Sequence, residues 1–163
     1  MSVGSYYSVT ILNIIVVLKL YLAKLGLINY RNYVSLDLSL SPGPLILSGD
    51  NAQGKSNLLD AIYLLATTRS SRASGDRELV RWQAMESYPA VARVAGEIQR
   101  ADRSISVDIG FSVEVETLVS DNGEPRTKFN KQTKVNGIPR RASDVIGILN
   151  VVLFNPQDVE LVA

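Results

Sequence analysis

"GDNAQGKS", residues 49–56, sits between the apolar "LILS" (45–48) and the run "SNLLDAIYLLATT" (56–68). The octapeptide fits G-x-x-x-x-G-K-[ST], the loop that cradles phosphate groups, provided a strand leads in and a helix leads out. "LILS" reads as a short buried strand. In 56–68, Leu58, Leu59, Ile62 and Leu65 fall at helical spacing, with Asp60 outside that stripe. The order strand, glycine loop, helix therefore predicts an α/β fold of the P-loop type.

A polyphosphate is a dense negative charge. Successive backbone N–H groups closed by a helix N-terminus give it fixed donors without side-chain entropy loss. Gly49 and Gly54 let the backbone curl where a Cβ would clash, while Asp50, Asn51, Ala52 and Gln53 form the rest of the curve. Lys55 supplies a full charge to the β- and γ-phosphates, and the Ser56 hydroxyl suits a Mg²⁺ ligand. ATP and Mg²⁺ are the cofactors this implies. Hydrolysis also needs an apolar strand ending in an acidic residue. Val151–Phe154 is apolar but runs into Asn155, and Asp108 lies inside an alternating strand. Neither supplies that group, so half a catalytic site is expected.

Around this centre, 20–28 and 34–40 alternate as an antiparallel pair joined by the polar turn "NYRNY" (29–33). "AVARVAGEIQ" (90–99) and "SISVDIGFSVEVET" (104–117) read as strands of a second sheet. "LVSDNGEPRTKFNKQ" (118–132) reads as a mobile loop or hairpin tip turning at Asn122-Gly123, and Asn136-Gly137 as a tight turn. Asp76 is a helix cap, a short helix starts near Ser143, and 151–154 is a buried strand.

Composition bounds the function. The chain has 163 residues, 46% hydrophobic and 20% charged, with net charge +1, as expected of one folded domain. Without cysteine or histidine it has no disulfide, thiol catalyst or usual zinc site. The apolar "TILNIIVVLKLYL" (10–22) is interrupted by Lys19 and lacks a basic leader, so it reads as an added soluble element and not a membrane span. Arg69, Arg72, Arg77 and Arg81 form the most basic run, open to a DNA-phosphate role or to simple solvation.

Together, "LGLINYRNYVSLDLSLSPGPLILSGDNAQGKSNLLDAIYLLATTRSSRASGDRELVRW" (25–82), "VNGIPRR" (135–141) and "VVLFNPQDVELV" (151–162) resemble the RecF family of bacterial recombination and gap-repair ATPases. The likeness runs from about Tyr21 to Ala163, and residues 1–20 precede the family pattern. The GKSN run and N-Y-R-N-Y turn are also similar to the ATPase heads of SMC proteins.

The resemblance implies an ABC-ATPase-head-like N-terminal lobe with mixed and antiparallel strands. The family's acidic Walker B strand, signature motif and arm subdomain belong downstream, so the lobe is expected to be truncated. It further implies a cytoplasmic protein of DNA repair, replication and SOS induction that binds single-stranded and gapped duplex DNA. Its expected partners are the RecO and RecR mediators, and the full-length form is an ATP-dependent homodimer with slow DNA-dependent hydrolysis. Arg31 and Asn32 match the turn beside the nucleotide. Gln157 and Asp158 match a loop that senses Mg²⁺ and the γ-phosphate. Two other readings stay open from the residues alone: a P-loop kinase of a small metabolite, and a non-catalytic nucleotide-binding fragment.

Overall fold

In the computed structural model, which describes residues 20–86, 88–101, 103–119 and 125–154, the first strand explains an irregular sequence rhythm. β1 (Leu20–Tyr30) buries Leu22, Leu25, Leu27 and Tyr30, at intervals of three, two and three residues. A strict strand alternates by two. A register shift between Leu22 and Lys24 in the ladder to the neighbouring strand absorbs the first irregularity, so both leucines reach the same face.

β2 (Tyr33–Ser39) folds back on β1 through a turn in which Arg31 has φ 53°. The helix α1 (Lys55–Thr67) follows the glycine loop. Then come β3 (Ala90–Arg100), β4 (Arg103–Val119), β5 (Pro125–Val135) and β6 (Ile138–Arg140). The six strands make one sheet in the order β2-β1-β3-β4-β5-β6, every neighbour antiparallel. The expected second sheet is therefore not separate: β3 pairs directly with β1 and carries β4 into the same sheet.

One face is apolar. Ala92, Val94 and Ile98 of β3, with Val107, Ile109, Phe111 and Val113 of β4, pack under Leu58, Ala61, Leu64 and Leu65 of α1. The other face is solvated and carries ion pairs such as Lys24–Glu97 at 2.9 Å and Arg93–Asp108. Pairs this exposed contribute little to stability, because solvent screens them. Helix and sheet meet most tightly at Gly96, where an added Cβ would lie 2.6 Å from a Leu65 methyl and 3.0 Å from one of Leu22.

Several local expectations are corrected. Asp60 lies inside the buried face of α1, 1% exposed, while Leu59 is 44% exposed. The segment 125–132 is strand, not loop, because β5 gains its ladder from β4 despite its polar sequence. The Asn122-Gly123 turn lies outside the described residues. Asn136 (φ 50°) and Gly137 (φ 77°) do form the tight β5–β6 turn. Asp76 opens a single 3-10 turn, with Gly75 in the cap position, and residues 142–144 form another such turn.

"LILS" and 151–154 join no ladder among the described residues. Leu45, Ile46, Val152 and Phe154 are 60%, 88%, 79% and 79% exposed. A buried strand needs neighbours, and among the described residues neither segment pairs with the six-stranded sheet.

The Gly96 contact generates a prediction. Gly96→Ala should destabilise the domain by about 1–3 kcal/mol through overpacking. Gly75→Ala, where nothing lies within 4 Å of the new methyl, serves as the comparison. Equal urea midpoints for the two variants would contradict the packing account.

Candidate phosphate-binding site

The glycine loop is shaped by the hairpin turn of β1 and β2. Gly54 precedes α1 with φ 101°, a left-handed conformation. A Cβ there would meet Asn32 Nδ2 at 2.5 Å and the Tyr33 hydroxyl at 3.0 Å. Both conformation and space therefore demand glycine. The Tyr33 hydroxyl donates to the Gly54 carbonyl at 3.1 Å, and Asn32 Nδ2 to the Gln53 carbonyl at 3.4 Å. Asn57 on the first turn of α1 donates to Asn32 Oδ1 at 2.8 Å. The turn thus grips the loop and the helix start together.

Lys55 folds into the loop. Its ammonium donates to the Gly49 and Asp50 carbonyls, both at 2.6 Å. A cavity of about 400 Å³ opens at this point, lined by Asn51, Ala52, Gly54, Lys55, Ser56, Asn57 and Arg72. Among the described residues the lining holds two cations and no carboxylate. Ser56 is exposed at the helix start, so its hydroxyl is accessible. Among the described residues no cluster of three acidic, histidine or cysteine side chains offers a metal cage. The donor set therefore fits a polyphosphate, and it fits Mg²⁺ only with Ser56 as protein ligand and phosphate oxygens beside it.

A second recess of about 400 Å³ adjoins the first at Asn57 and is lined by Arg31, Asn32, Arg81, Trp82 and Gln83. Arg31 is held there loosely. Its Nη2 is 3.7 Å from Asp60 Oδ2, and its buried Nε has no hydrogen-bond partner.

Asp60 does not depend on that contact. Its Oδ2 accepts from the Tyr30 hydroxyl at 3.0 Å and the Ser70 hydroxyl at 2.7 Å. Its Oδ1 accepts from the Ser71 N–H at 2.8 Å and hydroxyl at 2.9 Å. Burial opposes ionisation of Asp60, but these hydrogen bonds outweigh it and hold its carboxyl below the usual range. The same burial, with the Asp60 charge nearby, pushes the Tyr30 hydroxyl far up. Sequence reading missed Asp60 because its place on the apolar face becomes tolerable only when Tyr30 and the 70–71 segment arrive.

The structure disperses the arginine run. Arg72 joins the phosphate-loop cavity and Arg81 the recess beside Arg31. Arg77 donates to Thr127 on β5, and Arg69 lies beyond the C-terminal end of α1. Gln157 and Asp158 lie outside the described residues.

The Asp60 network predicts a pH signature. The folded carboxyl titrates below the unfolded value of roughly 3.9. Its stabilisation is therefore full above that value and is lost as pH falls through the depressed folded one. Asp60→Asn should cost about 1–3 kcal/mol at neutral pH, and the deficit should shrink as pH drops below about 4. Urea unfolding across that range checks it; a deficit independent of pH would refute the charged network.

The model of the AAA domain family matches residues 24–159. The "DNA replication and repair protein RecF" of Chloroflexus aggregans is 43% identical over 145 residues, which cover 88% of this chain and 36% of that protein. That of Limosilactobacillus fermentum is 41% identical over 142 residues, 86% of this chain and 33% of that protein. The chain thus spans about a third of the length of the curated relatives it matches. Two solved structures are similar, those of "the recombination mediator protein RecF-ATP in RecFOR pathway" and of its RecF-ATPrS counterpart. Each superposes with a TM-score of 0.67 at 33% and 32% identity, covering 87% and 88% of this chain and 34% of the other. The similarity includes the P-loop fold and the strand-rich lobe on which the loop is mounted. The chain belongs to the AAA domain family and is a homologue of the RecF proteins.

Proposed function

We propose that this chain is the nucleotide-binding part of a RecF-type DNA replication and repair protein, with ATP held at Gly49–Ser56. The observation that carries the reading is the steric and hydrogen-bonded lock of the hairpin turn on Gly54. It preorganises the loop, so ligand binding does not bear the cost of ordering it. Backbone N–H groups of residues 50–56 and the Lys55 ammonium would hold the β- and γ-phosphates, and Ser56 would ligate Mg²⁺. Arg31, with an unpartnered buried Nε and a loose contact to Asp60, is placed to swing toward phosphate without leaving Asp60 unsatisfied. Asn32 and Asn57 set the geometry between the two recesses.

Bound Mg²⁺-ATP would supply the charge that orders these side chains and a bond whose cleavage resets them. In this reading nucleotide binding gates a homodimer that engages single-stranded and gapped duplex DNA in recombinational repair and SOS induction. RecO- and RecR-type mediators act with it in the cytoplasm, and Gln157 and Asp158 report the state of the γ-phosphate. Support comes from the relatives' replication and repair role and from the ATP-associated structures similar to this chain. Among the described residues, the lining of the loop cavity includes no carboxylate to position an attacking water. Nucleotide binding without appreciable turnover is therefore expected of these 163 residues.

Titration calorimetry with Mg²⁺-ATP tests this directly. The chain should bind and Lys55→Ala should lose at least tenfold in affinity, because the ammonium is the main counter-charge in the loop. Unchanged affinity would remove the basis for the reading. In a phosphate-release assay the chain alone should stay at background; sustained turnover abolished by Lys55→Ala would place a complete catalytic site within it.

A further inference from the structure

The face of the sheet that α1 covers over β3 and β4 continues onto β5 and β6 beyond the helix end. There its chemistry changes. Register aligns Phe111 with Lys131, Ile109 with Thr133, and Thr133 with Arg140. An apolar row thus becomes a cationic one along the same ladder. Arg69, just past the C-terminus of α1, and Arg141, just past β6, complete an open recess of about 470 Å³ with Lys131, Thr133, Arg140 and Asp76 among its walls.

Lys131 anchors this recess. Its ammonium donates to the Thr68 carbonyl at 2.5 Å and to Asp76 Oδ2 at 3.0 Å, and it lies 5.6 Å from the centre of the Phe111 ring. These contacts fasten β5 to the helix end and use the single acidic group of the lining. Arg69, Arg140 and Arg141 remain exposed, and among the described residues none forms an ion pair. The recess therefore carries a net of three positive charges on a chain whose total is only +1. Three guanidinium forks drawn from two separate segments, with no aromatic platform among the described lining residues, suit phosphate oxygens and not bases. Pro139 in the middle of the edge strand β6 removes a donor from that edge, which favours side-chain over strand-addition recognition there.

We propose that Arg69, Arg140 and Arg141 form a contact site for the phosphate backbone of duplex DNA, separate from the nucleotide loop. The proposal rests on the DNA-binding reading above and locates it on this chain. It splits the arginine run: Arg69 serves the backbone, while Arg72 and Arg81 face the nucleotide side.

The test uses the whole chain and a variant carrying Arg69→Gln, Arg140→Gln and Arg141→Gln. Anisotropy of a labelled duplex is followed from low to physiological salt, with Mg²⁺-ATP affinity measured in parallel. Each phosphate contact contributes about 0.9 to the slope of log affinity against log salt. The variant should lose at least tenfold in duplex affinity at low salt and about two to three in that slope, with unchanged nucleotide affinity and melting temperature. Duplex binding by the parent chain with equal affinity and slope in the variant would overturn this site alone. Absence of salt-dependent duplex binding by the parent chain would overturn the DNA-binding reading with it. Displacement of the duplex by millimolar inorganic phosphate would instead assign the recess to a small free anion, and a parallel loss of nucleotide affinity would make the arginines structural; either result rejects the proposal.

Discussion

A buried carboxylate holds the working parts of this domain in register. Asp60 belongs to α1, the helix whose start closes the phosphate loop, yet its four hydrogen bonds come from Tyr30, Ser70 and Ser71. Tyr30 ends the first strand, and Ser70 and Ser71 begin the segment that follows the helix. One side chain therefore ties sheet, helix and connecting loop at a single point. A buried, unsatisfied carboxylate would be costly, so the fold is committed to bringing all three donor residues together.

That commitment reaches the phosphate loop through the next residues in the chain. With Tyr30 fixed, Asn32 and Tyr33 are carried over Gly54, which has room for no side chain. The loop is shaped by a strand-turn-strand hairpin that lies some twenty residues earlier. Arg31 is left with a long contact to an already satisfied partner.

The sheet distributes chemistry by position. Where α1 covers it the side chains are apolar; where the helix ends they become cationic, and the reverse face is solvated throughout. Alternation along β3 and β4 was readable as half-buried strands because each has one covered and one wet face. Alternation along β5 was not, because its covered side holds Lys131 and Thr133 and its sequence looks like a loop. Only the ladder to β4 and the anchoring of Lys131 by Thr68 and Asp76 reveal it as sheet.

Local chemistry in the sequence determined the phosphate loop, the helix after it, the β1–β2 hairpin and the Asn136-Gly137 turn. Each depends on conformational preferences or periodicities that act over a few residues. Tertiary structure alone decided that Asp60 is buried, that one sheet replaces two, that the four arginines part company and that Arg69 joins Arg140 and Arg141. Those outcomes depend on which distant donors and strands arrive. "LILS" and 151–154 show the same limit from the other side. Their apolar character states a preference for burial, but a strand is buried only when neighbours are present to cover and pair it.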